Sequence, residues 1–96
     1  MTVIKKRSLD YYCSVYPSIE AAVSDWYTMM KKNTYWDIIE LRRTFPTADP
    51  VSDNKLICFN IKGNKYRLIV RITWGKTVFI RELLTHAEYT KKYAGG

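Results

Sequence analysis

The alternation of side chains over residues 65–74 constrains the fold of this chain more than any other sequence feature. Even-numbered positions there are apolar, whereas odd-numbered positions are mostly basic or polar; the residues run Lys65, Tyr66, Arg67, Leu68, Ile69, Val70, Arg71, Ile72, Thr73 and Trp74. Because successive side chains of a β-strand point to opposite faces of the sheet, this pattern predicts a strand with one face in the core. The opposite face is expected to carry a ladder of basic side chains.

Two more strands are predicted on either side of this one, at Leu56–Ile61 and Thr77–Thr85. The intervening turn sequences are Lys62-Gly63-Asn64 and Gly75-Lys76, so the three segments form an antiparallel meander. The last strand is apolar on both faces apart from Arg81 and Glu82. It is therefore expected to be central in the sheet and covered by other elements.

The N-terminal part of the chain predicts two helices. Ser8 is the expected N-cap of the first helix, and Pro17 should end it. Ser18 is the expected cap of the second helix, which should end near residue 32. In both segments apolar side chains recur at three- and four-residue intervals and form a core-facing stripe: Leu9, Tyr12, Cys13 and Tyr16, then Ile19, Ala22, Val23, Trp26, Tyr27 and Met30.

Residues 36–51 are predicted to form a connecting loop. A short helical pattern begins there, with Arg42 and Arg43 pointing outward, but it is interrupted by Phe45-Pro46 and Asp49-Pro50. Proline restricts the residue before it to extended backbone, which favours a loop over a continued helix.

The two ends of the chain complete the predicted fold. A short strand is expected at Val3 and Ile4, and Thr85-His86-Ala87-Glu88 fits a capping box that starts a C-terminal helix directly after the last strand. We therefore predict one α+β domain over residues 1–96. Two N-terminal helices should pack on a twisted, mostly antiparallel sheet, followed by a short C-terminal helix.

The net charge of +7 falls entirely in the C-terminal half of the chain. Residues 1–53 carry seven basic and seven acidic side chains, whereas residues 54–96 carry nine basic and two acidic ones. Apart from a merely soluble basic surface, this asymmetry indicates a polyanionic partner: nucleic acid first, an acidic protein second and an anionic membrane third. No apolar run approaches the ~20 residues of a membrane span, and residues 1–7 lack a signal peptide's apolar stretch, so a cytoplasmic location is expected.

Several kinds of catalytic site are excluded by the sequence. Two cysteines, Cys13 and Cys58, and one histidine are too few for a disulfide scaffold or a metal-ligand cluster, so no metal or cofactor is expected. Both cysteines are expected to be small buried hydrophobes. The sequence also lacks a nucleophile elbow and a Gly-rich phosphate loop.

What remains is a set of Arg, Lys, His and Tyr side chains around one sheet, the residue types that RNA cleavage without a metal requires. The 2′-hydroxyl must lose a proton, the pentacoordinate phosphorus gains negative charge, and the leaving 5′-oxygen must gain a proton. An arginine clasps two phosphate oxygens at once, which suits Arg67 and Arg71 of the middle strand. Histidine titrates near neutrality, so His86 is the natural proton-transfer group, with Tyr89 beside it on the same helix face.

Each candidate also has a purely structural explanation. Strand arginines suit solvated positions, and a histidine suits an exposed helix start. The C-terminal tyrosines suit core packing, and the last lysines complement the negative pole of a short helix. An arginine next to a glutamate suits an ion pair. The residues with such alternatives are Arg67, Arg71, Arg81, His86, Tyr89, Lys91, Lys92 and Tyr93.

Two sequence motifs bear a specific family resemblance. The segment Phe59-Asn60-Ile61-Lys62-Gly63-Asn64-Lys65-Tyr66-Arg67-Leu68-Ile69, followed by Ile80-Arg81 and Thr85-His86-Ala87-Glu88-Tyr89, resembles the HigB family of bacterial toxin–antitoxin systems. Weaker marks of the same family are Tyr16-Pro17, Trp36 and Phe45-Pro46-Thr47-Ala48-Asp49. The resemblance therefore covers nearly the whole chain.

The resemblance implies a RelE-like α+β fold and an mRNA interferase activity. Such toxins are endoribonucleases that cut messenger RNA in the ribosomal decoding site. A cognate helix-turn-helix antitoxin, HigA, neutralises them, and toxin and antitoxin together repress their own operon. Operator DNA would accordingly be contacted only through the antitoxin, and no membrane partner is implied.

The resemblance also assigns roles to individual residues. Arg67 resembles the arginine that stabilises the transition state, and His86 and Tyr89 match the family's His-x-x-Tyr. His86 would be the acid or base, and Tyr89 a stacking or proton-relaying partner, although Tyr93 is an alternative for the functional tyrosine. The remaining basic residues are expected to bind RNA phosphates: Lys65, Arg71, Arg81, Lys91 and Lys92.

Two other functions remain open from the sequence. A non-catalytic nucleic-acid-binding module would use the same basic and aromatic side chains and would bind RNA without cutting it. A protein-interaction domain for an acidic partner is disfavoured, because the Trp and Tyr residues fall mostly on predicted core faces.

Overall fold

A computed structural model of the chain describes residues 1–52 and 56–93. In chain order, the elements of this part are β1 (Thr2–Ile4), α1 (Lys6–Val15), α2 (Glu20–Lys32), α3 (Ile38–Thr44), β2 (Asp49–Val51), β3 (Leu56–Ile61), β4 (Tyr66–Thr73), β5 (Thr77–Thr85) and α4 (His86–Lys92). A 3₁₀ turn, Pro17–Ile19, joins α1 to α2. The predicted α+β class, with two N-terminal helices and a short C-terminal one, is confirmed.

The strands form one mixed sheet in the order β1-β5-β4-β3-β2. Strands β2 to β5 are antiparallel neighbours, whereas β1 pairs in parallel with β5. The predicted meander is confirmed, and β5 is interior, as its apolar faces indicated. The register between β4 and β5 shifts by one residue after Ile69. Ile69 pairs with Glu82, whereas the next residue, Val70, pairs with Ile80. Arg81 is thus the extra residue of a β-bulge.

The main core lies between the sheet and the two N-terminal helices. Leu68 and Val70 of β4 are completely buried there, together with Trp26 and Met30 of α2. The Trp26 ring meets Phe59 of β3 edge-on, with ring centroids 5.4 Å apart. The apolar face predicted for the middle strand is therefore the face that contacts α1 and α2. Burial of these large side chains is the main favourable contribution to the stability of the fold.

The opposite face of the sheet is not the continuous basic ladder that the sequence predicted. Helix α4 folds back across it, and a second apolar cluster forms from Leu56, Cys58, Ile69 and Leu84, with Tyr89 and Tyr93 packed against it. Ile69 has no exposed surface, and Arg67 is only 8% exposed. The ladder is interrupted because Ile69, the one apolar residue among the odd positions, provides the surface on which α4 packs.

Both N-terminal helices start at different residues from those predicted. Helix α1 begins at Lys6 after Lys5, which has a left-handed backbone (φ 66°), and the Ser8 amide donates to the Lys5 carbonyl at 2.9 Å. Ser8 is therefore inside the helix and does not cap it. Ser18 does not cap α2 either, because Pro17, with its fixed φ, begins a 3₁₀ turn that contains Ser18.

The prediction of a loop over residues 36–51 is wrong at two places. Asp37 caps α3 by accepting a hydrogen bond from the Glu40 amide at 2.8 Å, and the Glu40 carboxylate accepts from the Trp36 amide at 3.2 Å. These two hydrogen bonds stabilise the start of a helix that is only seven residues long. Strand β2 tolerates Pro50 because it lies at the edge of the sheet, where a missing amide donor leaves no partner unpaired.

Candidate active site

A cavity of about 550 Å³ opens between α3, the β2–β3 side of the sheet and α4. Its described walls are formed by Arg42 of α3, residues 46–49, Cys58 and Asn60 of β3, Arg67 of β4 and Tyr89 of α4. We refer to this cavity as the candidate pocket. Its lining combines two guanidinium groups, one carboxylate, an amide and a phenol ring, so it suits a polar, anionic ligand with a flat ring.

Arg67 is positioned by Asn64 of the β3–β4 turn and by the neighbouring Tyr66. Its Nη1 donates to the carbonyls of Asn64 (3.0 Å) and Tyr66 (3.3 Å), and its Nη2 donates to Oδ1 of Asn64. Among the described residues no carboxylate forms an ion pair with this guanidinium. The charge is thus held in a fixed direction by neutral acceptors and stays available to an anion in the candidate pocket.

Tyr89 lies next to Arg67. The guanidinium carbon of Arg67 is 5.4 Å from the centroid of the Tyr89 ring, which is cation–π distance. Burial raises the pKa of Tyr89, and the neighbouring Cys58 thiol raises it further, while Arg67 opposes this effect. The Tyr89 hydroxyl is therefore neutral well above neutral pH, and the ring remains an uncharged surface against the arginine.

The start of α4 places Tyr89 at this position. Thr85 Oγ1 accepts from the Glu88 amide at 3.2 Å, and the Glu88 carboxylate accepts from the Thr85 amide at 2.9 Å. The capping box predicted from the sequence is thus confirmed, and the helix starts directly where β5 ends. Because no loop intervenes, the orientation of Tyr89 is set by the end of β5.

The C-terminal end of α4 is fixed by Glu82 of β5. The Tyr93 hydroxyl donates to Glu82 Oε2, and Lys92 Nζ donates to both carboxylate oxygens at 2.9 Å. Burial alone would raise the pKa of Glu82, but these bonds and the nearby cations outweigh it and lower that pKa. Burial and the same carboxylate raise the pKa of Tyr93 to about 12. The Tyr93 ring stacks on the Tyr89 ring with centroids 5.7 Å apart, so this contact helps to hold the Tyr89 ring in place.

His86 is the first residue of α4 and is exposed. Its backbone amide donates to the Lys65 carbonyl at 2.9 Å, which ties the helix start to the β3–β4 turn. It precedes Tyr89 by three residues and therefore lies on the same side of the helix. Its side chain is not among the described residues that line the candidate pocket.

The other predicted RNA ligands lie outside the candidate pocket, as far as the described lining shows. Lys65 is exposed in the turn before β4, and Arg71 is exposed on the far half of β4, opposite Phe79. Arg81 and Lys92 line a separate groove of about 440 Å³ beside α1, together with Lys5 and Glu82. Lys91 is exposed on α4. The sequence-predicted set is thus brought together only at Arg67 and Tyr89.

Asn60, Arg42 and Asp49 are among the residues of the candidate pocket that were not singled out as site residues from the sequence. Asn60 pairs with Arg67 across β3 and β4, and Arg42 and Asp49 come from the segment that was predicted to be a loop. Asn60 and Asp49 do lie inside the motifs that carry the family resemblance, so the motifs contained a signal for them. Arg42 had a weaker one: Asp37 and Glu40 are spaced as a capping box, which predicts a helix that presents Arg42.

The cysteines of the described residues provide no thiolate, and the acidic residues no metal-binding group. Cys58 is buried, as predicted, and burial raises its pKa to about 11, so the thiol is neutral; Cys13 is half-buried. Within the described ranges 1–52 and 56–93, no three His, Cys, Asp or Glu side chains are grouped so as to hold a metal ion. Nor does any helix in these ranges have the length and apolarity needed to cross a membrane.

This α+β arrangement, with a basic pocket between the sheet and its C-terminal helix, is consistent with the RelE-like fold expected from the sequence motifs. The family model HigB_toxin, described as the RelE-like toxic component of a toxin–antitoxin system, matches residues 19–92. The chain therefore belongs to the HigB toxin family. It is also 29% identical over 93 residues to a protein of Escherichia coli O6:H1 named mRNA interferase HigB, an alignment that covers 95% of this chain and 90% of that protein. The family predicted from the sequence motifs is thus confirmed.

Proposed function

We propose that this chain is an endoribonuclease toxin that acts as a single domain in the cytoplasm and stops translation by cutting mRNA. Membership of the HigB toxin family and the name of the E. coli relative support this function. The substrate would be mRNA held by the ribosome. A HigA-like helix-turn-helix antitoxin would neutralise the toxin and would provide its contact with operator DNA.

The observation that carries the proposal is the geometry of Arg67. Its buried guanidinium lies in the wall of a cavity large enough for a nucleotide, with no carboxylate partner among the described residues and with an aromatic ring beside it. A scissile phosphate bound there would gain charge stabilisation as the phosphorane forms. A base next to that phosphate would stack on Tyr89.

The reaction would proceed by attack of the substrate's own 2′-hydroxyl, without a metal ion. The 2′-oxygen forms a bond to phosphorus while the bond from phosphorus to the 5′-oxygen breaks, and one proton leaves the 2′-oxygen as another reaches the 5′-oxygen. His86, exposed at the rim of α4, is proposed to transfer one of these protons. The products would be a 2′,3′-cyclic phosphate and a 5′-hydroxyl.

The remaining basic residues would guide the RNA strand towards the candidate pocket. The Lys65 carbonyl accepts from the first residue of α4, and Arg81 lines the groove beside α1 with Lys92. Exposed cations of this kind contribute long-range attraction and salt-sensitive affinity more than positioning. The proposed set is Lys65, Arg71, Arg81, Lys91 and Lys92.

The test is to induce the protein in a bacterium and map the 5′ ends of transcripts. New ends within coding regions, carrying 5′-hydroxyl groups, are the expected result, and they should disappear in Arg67→Ala. Ends with 5′-phosphates would indicate an activated water and contradict the mechanism. Binding of RNA without new ends would instead support the non-catalytic nucleic-acid-binding module.

A further inference from the structure

Arg42 faces the same cavity as Arg67 but comes from a different part of the fold. It lies on α3, and its side chain lines the candidate pocket together with the following segment, residues 46–49. Arg67 lies on β4, two strands away from β2. The candidate pocket thus receives one guanidinium from α3 and one from β4, and Asn60 of β3 also lines it.

The contacts of Arg42 hold its side chain in place but leave donors free. Its Nε donates to the Ala48 carbonyl at 2.9 Å, which turns the guanidinium back over residues 46–49. Its Nη2 lies 3.6 Å from Oδ1 of Asp49, longer than a good hydrogen bond. Both side chains are substantially exposed, at 47% for Arg42 and 63% for Asp49, so this ion pair contributes little to stability.

We propose that Arg42 is a second phosphate-binding arginine, and that its guanidinium exchanges Asp49 for a backbone phosphate of the RNA adjacent to the scissile one. The Nε bond to Ala48 keeps the side chain at the wall of the candidate pocket during this exchange. The two Nη groups then face the phosphate with the planar fork that suits bidentate binding. This inference rests on the proposed function, because it assigns a substrate contact to the same site.

Asp49 gains a role from the same geometry. Its carboxylate is the acidic group among the described lining residues, and it lies close enough to Cys58 and Tyr89 to raise the pKa of both. A carboxylate at that position repels phosphate and competes for Arg42. Asp49 therefore limits RNA affinity, and replacing its charge should strengthen binding.

The experiment measures binding of a 2′-O-methylated, mixed-sequence RNA 12-mer, which lacks the attacking hydroxyl, by fluorescence anisotropy at several salt concentrations. Arg42→Ala should weaken binding about 10-fold and reduce the salt slope by about 0.7, the value for one lost phosphate contact on a single strand. Arg43→Ala is the matched control, since Arg43 is the next residue of α3, is exposed, and is not among the described lining residues. It should change affinity by less than about twofold.

Asp49→Asn separates a substrate contact from a structural one. If the Arg42–Asp49 pair only braced α3 against β2, this variant would weaken binding or leave it unchanged. We expect it to strengthen binding severalfold, with an unchanged thermal unfolding midpoint. Equal losses in Arg42→Ala and Arg43→Ala, or binding by Asp49→Asn that is weaker than or equal to that of the wild type, would overturn the proposal.

Transcript cleavage by the same variants distinguishes this inference from the proposed function. If Arg67→Ala abolishes cleavage while Arg42→Ala binds and cleaves as the wild type does, the proposed function stands and the role of Arg42 is wrong. If the wild type produces no transcript ends but Arg42→Ala still loses affinity and salt slope, the phosphate contact stands and the proposed function is wrong.

Discussion

Oδ1 of Asn64 accepts a hydrogen bond from Nη2 of Arg67, and the Asn64 backbone carbonyl accepts one from Nη1. A single residue of the β3–β4 turn therefore holds both ends of the guanidinium fork. Gly63, in the same turn, has a left-handed backbone (φ 66°) that glycine adopts without strain. This conformation reverses the chain direction and places Asn64 beside the Arg67 side chain. Because the acceptors are neutral, Asn64 fixes the direction of Arg67 without cancelling its charge.

We expect Asn64→Ala to lower the rate of transcript cleavage about 10-fold, because the guanidinium loses a charge-assisted hydrogen bond that orients it. Asn64→Asp provides the contrast. It keeps the acceptor but adds a negative charge beside Arg67, so it should lower cleavage as well. Full activity of the aspartate variant would show that the acceptor at position 64 need not be neutral. Single-turnover rates on ribosome-bound mRNA measure both effects.

Arg67→Ala should reduce cleavage on the order of ~10²–10³-fold, the usual loss when one donor to a developing oxyanion is removed. Arg67→Lys should recover only part of this loss, since an ammonium cannot bind two phosphate oxygens in one plane. Growth arrest and transcript ends give the activity. Circular dichroism melts establish that the variants fold, and a folded, fully toxic Arg67→Ala protein would contradict the assignment.

His86→Ala should abolish growth arrest while the free energy of unfolding changes by less than about 0.5 kcal/mol, because the side chain is exposed. Thr90→Ala is the matched control. Thr90 is also exposed on α4, and its hydroxyl donates to the His86 carbonyl at 3.0 Å. It should leave toxicity unchanged. Loss of toxicity in both variants would point to the integrity of α4 rather than to proton transfer.

Tyr89→Ala should lower cleavage about 10-fold through loss of the stacking surface, whereas Tyr89→Phe should retain most of it. The raised pKa of Tyr89 leaves its hydroxyl neutral, so the ring is expected to contribute and a phenolate is not. Tyr93→Phe tests the other tyrosine. It removes one hydrogen bond to Glu82 and should cost about 1 kcal/mol of unfolding free energy, with cleavage retained. The opposite pattern would make Tyr93 the functional residue.

Acid should destabilise the protein through Glu82. The pKa of this carboxyl is lowered in the folded chain from its usual 4.5, so its contribution to stability is complete above about pH 4.5 and is lost as the pH falls through the folded-state value. Glu82→Gln should flatten this part of the curve of unfolding free energy against pH. Asp25→Asn, a surface change on α2, should leave it unaltered. An identical acid limb in wild type and Glu82→Gln would refute the role of this anchor.

Strands β3 to β5 and the cap of α4 were predictable because their signals are local. The alternation around Leu68 and Val70 gave the core face of β4, and Thr85 with Glu88 gave the start of α4. The sequence did not reveal that α4 would return across the opposite face, because that depends on how far β5 extends and where Ile69 lies in the final register. Only the apolar character of Ile69 among the odd positions indicated a covered surface.

The candidate site was predictable in its centre and not at its edges. Arg67 and Tyr89 were named from the motifs, and the structure places them in contact. Arg42 was expected to point outward, and it does leave its helix exposed; its approach to the pocket depends on the Ala48 carbonyl, whose position is set by the edge strand β2. Pairing of an edge strand is a long-range property, which the spacing of residues along the chain does not encode.

The extra residue in β5 has a geometric consequence for changes of chain length. Ile80 lies on the face of the sheet that contacts α1 and α2, and Glu82 lies on the face that contacts α4. If Arg81 were absent, these two residues would be consecutive in a regular strand and would occupy the same two faces. Deletion of residue 81 would therefore remove the bulge from the β4–β5 pair and remove one surface cation. Every neighbouring side chain would remain on the same face of the sheet. The hydrophobic pattern of β5 would therefore tolerate the loss of this one residue. Deletion of a residue within β4, which has no extra residue, would move the side chains beyond that point to the opposite face of the sheet.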